Sequence, residues 1–233
     1  MGVSQGYVSE ELTHFVGRTK QTDGDRFDLL CEIIRSGLLR GGGASGTGQG
    51  NIRLDFSQAL TSNGLVNPET VCFCDIPVKA LDLHMDKYSR FGLAFTKVFM
   101  RRWGCNPVYY VSKNSACTDH RYPEGDPNRQ VKWGDFFQIA FNDWYPTICG
   151  TDPSRLTPMQ NLILWYFFGH IKFFDSALPQ HDVDNYYMER EWRLIGSMSF
   201  AQADVARVIL PCSYVSRFES AFPDFPIERI QVI

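Results

Sequence analysis

The chain has 233 residues, a formal net charge of −3, and 44% hydrophobic and 14% aromatic residues. This length suits one large domain, and the composition can supply a substantial core. A general nucleic-acid binder needs an excess of positive charge to attract the phosphates, so a mildly acidic chain is not expected to be one. The apolar runs are too short to span a bilayer, and the N-terminus lacks the pattern of a signal peptide. Seven irregularly spaced cysteines favour reduced thiols and a cytoplasmic protein.

The first elements in chain order are a strand and an amphipathic helix. Residues 12–16 predict a short strand. In the following segment, "RFDLLCEIIRSGLL", the apolar residues recur at i, i+3, i+4 and i+7, which predicts one buried helical face made of Phe27, Leu30, Cys31 and Ile34. Gly37 is placed to end this helix.

A glycine-rich segment, "GGGASGTGQG", occupies residues 41–50. It lacks the Gly-Lys-Ser/Thr ending of a Walker A loop, and it follows a helix instead of opening one. We therefore expect a flexible surface loop at residues 41–50, not a phosphate site.

A buried strand is predicted in "TVCFCDIP", which Pro77 ends. On a strand, Cys72 and Cys74 point to one face and Phe73 to the other. The cysteine spacing does not suit a structural zinc site, so we expect buried core thiols without a metal or a disulfide.

The next segments predict a short helix and then two strands. "VKALDLHMDKYSRFG" reads as a short helix on which His84 and Tyr88 are four residues apart, a spacing that is most often structural. The runs "LAFTKVFM" and "NPVYYVS" resemble strands.

The middle of the chain is rich in aromatic residues. Two helix-like segments, "WGDFFQIAFNDWY" and "PMQNLILWYFFGHIKFF", predict a helical insert at about 132–174. Its rings are either core or an interaction surface. Beyond it, "YYMEREWRLIG" predicts a strand, "ARVILPCSYVSRFESAF" a strand, turn and helix, and "IERIQVI" a closing strand. Residues 1–233 are therefore interpreted as a single α+β domain.

The segment "EREWR" holds the charged residues of greatest interest. On a strand, Glu189, Glu191 and Arg193 share a face, while Trp192 and Leu194 share the core-facing side. One interpretation is a cross-strand ladder of ion pairs on a solvated face. The other is a pair of carboxylates that a rigid strand presents to a cleft, where one of them stabilises a developing cation or holds a ribose hydroxyl.

Several stretches together resemble the AbiGi-type abortive-infection family in order and spacing. They are "ELTHFVGR", "LLCEIIRSGLL", "VCFCDIPVKALDLHMDKYSRFGLAFTKVFM", "NPVYYV" and "YMEREWRLI". That family is described as the antitoxin half of a two-gene phage-resistance pair. The resemblance implies a protein that binds a partner toxin.

The order of elements is also similar to the ADP-ribosyltransferase fold, with a Thr13-His14 strand, an "Ile-x-x-Gly-Leu" helix and a late-strand Glu-x-Glu. This resemblance implies a split β-sheet around a cleft. It also implies that NAD is a substrate, held by the first strand through Thr13 and His14, with Tyr88 stacking on nicotinamide.

The same resemblance implies roles on the late strand. Glu191 would be the catalytic carboxylate, and Glu189 would position the acceptor. Arg193 could pair with either carboxylate and keep it ionised. His14 and Glu191 would then face each other across the cleft.

These resemblances leave different functions open. The first is a phage-defence toxin or effector, an NAD-dependent ADP-ribosyltransferase or NAD glycohydrolase that acts on a host or phage macromolecule, whether nucleic acid or protein. The second is a non-catalytic antitoxin or regulator that restrains a partner toxin. The third is a degenerate fold that senses a nucleotide. None of them calls for a membrane or a metal ion.

Overall fold

The computed structural model describes residues 8–42, 52–55, 57–59, 62–118, 130–147, 155–179, 182 and 184–233. The chain divides into two compact units. The first comprises Met1–Gly50, Glu69–Pro107 and Glu189–Ile233, and the second comprises Asn51–Pro68 and Val108–Met188. The second unit is longer than the insert predicted at 132–174, and the single-domain interpretation of residues 1–233 stays a prediction. Most of the glycine-rich loop, residues 43–50, lies outside the described residues.

The strands are short. In chain order they are β1 (Glu11–Phe15), β2 (Leu38–Leu39), β3 (Ile52–Leu54), β4 (Val66–Pro68), β5 (Thr70–Cys74), β6 (Gly92–Thr96), β7 (Asn106–Pro107), β8 (Tyr109–Ser112), β9 (Ala116–Thr118), β10 (Gln130–Lys132), β11 (Ile171–Phe174), β12 (Glu191–Ile195), β13 (Met198–Ser199), β14 (Val205–Leu210) and β15 (Ile230–Val232).

The α-helices are α1 (Asp23–Ser36), α2 (Asp82–Lys87), α3 (Lys97–Arg102), α4 (Trp133–Trp144), α5 (Pro158–Asn161) and α6 (Val215–Ala221). A π-helical segment, Leu162–Phe167, continues α5. Single 3-10 turns occupy Val78–Ala80, Tyr145–Thr147, Phe168–His170, Tyr186–Glu189, Gln202–Asp204, Cys212–Tyr214 and Ile227–Arg229. In the part of the chain that the structure describes, no helix is both long enough and apolar enough to cross a membrane.

The prediction of helix α1 is confirmed. The Thr22 side chain accepts a hydrogen bond from the Asp25 backbone N–H and caps the first turn. Gly37 adopts a left-handed conformation with φ of 60° at the other end, and its N–H bonds the Ile33 carbonyl. The predicted apolar face is buried in full, through Phe27, Leu30, Cys31 and Ile34.

The first unit is built on a seven-stranded sheet in the order β15-β14-β6-β1-β5-β12-β7. Only β14 and β15 pair in parallel; the other neighbours are antiparallel. Strand β1 pairs with β6 along its whole length, whereas its register with β5 is the single pair Thr13 opposite Cys74. The sheet therefore has two parts, β15-β14-β6-β1 and β5-β12-β7, which are joined through the pair Thr13 and Cys74. Strands β2 and β13 form a separate antiparallel pair in this unit.

Both faces of this sheet carry buried side chains. The main core includes Phe73 and Leu194 from the sheet and the apolar face of α1, and Trp192 packs against it. The opposite face holds a smaller cluster in which Cys74 and Leu81 are buried. The predicted alternation of β5 and β12 is thus confirmed.

The second unit surrounds its own apolar cluster. Strands β8 and β11 pair in parallel, and β3–β4 and β9–β10 pair antiparallel. The unit also contains α4 and the helix of residues 158–167. The buried members of the cluster are Leu65, Phe141, Phe168, Ile171 and Phe173.

Three sequence predictions about local structure are wrong. The run "LAFTKVFM" is strand only to Thr96, whose hydroxyl accepts from the Phe99 N–H and starts α3. Residues 171–174 form strand β11, not helix, because they pair with β8. Cys74 is buried as expected, but Cys72 is exposed. The α+β class is confirmed, whereas the ADP-ribosyltransferase-like arrangement stays a proposal.

Candidate functional site

The segment that precedes β12 is not a continuous strand. Glu189 ends the 3-10 turn of residues 186–189, and Arg190 has a positive φ of 45°. This conformation is uncommon for a residue with a side chain, and it interrupts the strand alternation. The prediction that Glu189 shares a strand face with Glu191 and Arg193 is therefore wrong. The turn is fixed by Asp75, whose N–H donates to the Arg190 carbonyl at 3.0 Å.

Glu189 is buried in the first unit and held by the end of helix α2. Its Oε1 accepts a hydrogen bond from the Tyr88 hydroxyl and lies 2.8 Å from the Lys87 Nζ. Burial raises the pKa of the Tyr88 phenol, and the nearby charges of Glu189 and Glu191 raise it further. Tyr88 therefore stays a neutral donor, and the positive charge beside Glu189 comes from Lys87.

Glu191 is the first residue of β12, and it forms an ion pair with a neighbour on its own strand. The Arg193 Nε lies 2.5 Å from the Glu191 Oε1, as the two-residue spacing allows. The two side chains are only 6% and 11% exposed. The interpretation of these residues as a ladder of ion pairs on a solvated face is therefore wrong.

Thr13 lies in line with Glu191 across the sheet. Both residues are opposite Cys74, Thr13 on β1 and Glu191 on β12. Paired residues point to the same face, so the Thr13 and Glu191 side chains share a face about two strand spacings, ~10 Å, apart. Tyr88 stacks on Phe15, two residues beyond Thr13, with ring centroids 6.1 Å apart. Thr13, Tyr88 and Glu191 are therefore grouped on one side of the sheet.

His14 projects differently. Strand alternation places it on the opposite face from Thr13, and its ring centroid lies 5.7 Å from that of Phe73. Its Nδ1 lies 2.9 Å from the Cys72 carbonyl oxygen. This contact lies next to the Thr13–Cys74 pair, where the pairing of β1 with β5 ends. Burial lowers the pKa of the imidazole. Of the six predicted residues, His14 is the one that the structure separates from the others.

Further charged and polar residues surround this group, and most of them are not marked by any pattern in the sequence. The Asp75 carboxylate pairs with the Lys97 Nζ at 2.8 Å. The Arg18 guanidinium lies 5.1 Å from the centre of the Tyr88 ring. His84 is buried and stacks on Phe15. The His84–Tyr88 spacing was visible in the sequence, but no local spacing relates Asp75 to Lys97.

The chemistry available to this group follows from its charge balance. Glu189 and Glu191 are each bonded to a cation of the same unit, Lys87 and Arg193 respectively. A buried ion pair of this kind fixes local geometry at a cost in desolvation. To stabilise a cation on a ligand, Glu191 would have to exchange Arg193 for that ligand. Among the described residues, no group of three or more His, Cys, Asp or Glu side chains could hold a metal ion.

Comparison with known proteins gives one family. A family profile described as "Putative abortive phage resistance protein AbiGi, antitoxin" matches residues 65–220, well over half of the chain. The match spans both units and includes Tyr88, Glu189, Glu191 and Arg193, whereas Thr13 and His14 precede it. No curated protein matches the chain, and no solved structure does.

Proposed function

Because the chain belongs to the AbiGi family, whose description is that of an abortive phage resistance antitoxin, we propose that it is a cytoplasmic, non-catalytic antitoxin that restrains a partner toxin by binding it. The observation that carries the proposal is the internal pairing of Glu189 and Glu191. Both carboxylates are buried, and each is bonded to a cation of its own unit.

This pairing suits a binding protein better than a catalyst. A transferase needs a preorganised carboxylate that faces the developing positive charge of the ribose. In this protein the Arg193 guanidinium already occupies the position next to Glu191. A protein that acts by binding needs a fixed surface instead. The ion pairs of Glu189 and Glu191 fix the turn and the start of β12 within the first unit.

The experiment expresses the chain and the second protein of its two-gene pair in bacteria, separately and together. We expect the second protein alone to arrest growth, the chain alone to be harmless, and both together to restore growth. The two purified proteins should also elute as one complex. Growth arrest by the chain alone, or a lack of rescue, would contradict the antitoxin role.

A second candidate is the NAD-dependent ADP-ribosyltransferase or NAD glycohydrolase. The observation that favours it is the grouping of Thr13, Tyr88 and Glu191 on one face, with Glu189 bonded to Tyr88. Glu191 would then have to release Arg193 when NAD binds. The test is NAD consumption by the purified wild-type chain, with Glu191→Gln as the comparison. Consumption that is lost in the variant, while the variant stays folded, would favour the enzyme.

A further inference from the structure

The second unit exposes a group of large apolar side chains. They lie at the start of the helix of residues 158–167, at its end, and on the neighbouring strand β8, and we call them the aromatic strip: Tyr109, Met159, Leu162, Tyr166 and Phe167. Each is between 41% and 64% exposed. Single exposed apolar residues are ordinary, but contiguous groups mark interaction sites.

The helix geometry explains why these residues are neighbours. Residues 162–167 form a π-helix, in which the hydrogen bonds connect residues five apart. This wider turn brings Phe167 beside Leu162, with Tyr166 next to both. The Tyr109 ring lies 6.1 Å from the Phe167 ring and extends the strip onto β8. Ile163 of the same helix packs on the apolar cluster of the second unit.

The charge of this region restricts the kind of partner. From Leu156 to Ile171 the sequence contains no Asp, Glu, Lys or Arg. Nucleic acids and strongly charged proteins therefore find no complementary charge on this stretch. A complementary surface would be apolar and uncharged at its centre, which is the composition that interface cores favour.

The exposed area of the strip favours a different protein over a second copy of this chain as the binding partner. With about 150–250 Å² for each of these five large side chains, the observed exposures give the strip roughly 500 Å². Two copies that meet through the strip alone would bury about 1,000 Å², less than the ~1,200–2,000 Å² of stable interfaces. The same area is adequate for the apolar centre of a larger contact with another protein.

We propose that the aromatic strip is the centre of the surface that binds the partner toxin, through an apolar, uncharged patch on that toxin. This inference rests on the proposed antitoxin function and assigns that function to the second unit. The buried ion pairs of the first unit then maintain the fold and do not contact the toxin.

The test places two positive charges in the strip, at residues that are more than half exposed. The variant is the double substitution Leu162→Lys and Tyr166→Lys, and the control is Ile227→Lys, an apolar residue of the first unit that is 67% exposed. The probe is the second protein of the two-gene pair. Binding is measured by titration calorimetry, and rescue of growth is scored in the same cells. Because an uncompensated charge in an interface core is costly, we expect a loss of at least ~100-fold in affinity for the double variant and no change for the control.

The outcomes separate this inference from the function on which it rests. If the wild type does not bind the second protein, the antitoxin function and the surface both fail. If the wild type and the double variant bind it equally, the strip is not the surface, although the function stands. If the double variant instead loses only binding to neutral phosphatidylcholine vesicles, the strip contacts lipid and the inference is overturned. An unchanged melting temperature shows that the double variant is folded, and a single Tyr166→Ser substitution replaces it if it is not.

Discussion

Lys87 and Glu189 are 102 positions apart in the sequence and form an ion pair of 2.8 Å within the first unit. Their side chains are 9% and 4% exposed. The pair joins the last residue of helix α2 to the turn before β12. Since Tyr88 donates to the same carboxylate oxygen, the end of α2 and the start of β12 are held by one buried group.

We expect Lys87→Met to destabilise the protein strongly. The substitution keeps most of the side-chain volume but removes the ammonium group that lies 2.8 Å from the buried Glu189 carboxylate. Removing one partner of a buried pair costs about 3–5 kcal/mol of unfolding free energy. Urea denaturation measures this loss.

The control for that experiment is Lys79→Met, because Lys79 is exposed in the preceding turn and an exposed lysine contributes little, about 0–1 kcal/mol. The double variant Lys87→Met with Glu189→Gln removes both charges and should recover part of the loss. Equal stabilities of the two single lysine variants would contradict a structural role for the pair.

We expect Glu191→Gln to lower stability as well. A catalytic Glu191, or a solvated Glu191–Arg193 pair, would predict a loss of only about 0–1 kcal/mol. The burial of Glu191 and Arg193 changes that expectation, since the variant removes the negative charge that pairs with the buried guanidinium. A loss of about 3–5 kcal/mol is expected. An unchanged midpoint of urea denaturation would show that the pair contributes nothing, as a solvated pair would.

The elements that could be predicted from the sequence are those marked by patterns among neighbouring residues. The apolar spacing and the terminal Gly37 located α1, and the alternation around Trp192 located β12. The resemblance to the AbiGi-type family was also carried by local stretches, and it is confirmed. These features depend on neighbours within a few residues, which one sequence displays.

The features that the sequence did not reveal depend on distant residues or on backbone conformation. The positive φ of Arg190 removed Glu189 from the strand, and no residue type signals it, since glycine is the usual occupant. Residues 171–174 follow a helix-like pattern, yet pairing with β8 made them a strand. The cations beside Glu189 and Asp75 come from α2 and α3, and local spacing does not relate them.

We expect Gly37→Ala to destabilise the end of α1. Gly37 has a φ of 60°, and a Cβ there would lie 2.4 Å from the Phe200 carbonyl oxygen. The left-handed conformation costs an alanine about 1–2 kcal/mol, and the clash with backbone adds to it. Thermal denaturation should show a clearly lower midpoint.

Gly24→Ala is the matched substitution in the same helix. Gly24 lies in the first turn, and its added Cβ would make an ordinary contact of 3.6 Å with the Thr22 Oγ1. Alanine there should stabilise the helix by about 0.5–1 kcal/mol. Opposite shifts of the two midpoints are the expected result, and a tolerated Gly37→Ala would contradict the left-handed cap.

Mild acid should destabilise the protein through His84, which is buried, and His14, which is half-buried. Burial lowers the pKa of His84, and the charge of Glu189 offsets this shift only in part. Burial also lowers the pKa of His14. In the unfolded chain the imidazoles take up protons near pH 6.5, whereas in the folded protein they do so only at lower pH. The contribution of these histidines to the free energy of unfolding is therefore present above about pH 6.5 and is lost as the pH falls below it. Each histidine can lower the free energy of unfolding by up to ~1.4 kcal/mol per pH unit in that range.

The variant His84→Phe tests this prediction, because it keeps a ring that can stack on Phe15 and removes the titrating group. Melting temperatures at about pH 7.5 and 5.5 should therefore differ less for this variant than for the wild type, and an equal difference would exclude His84 as a source of the pH dependence.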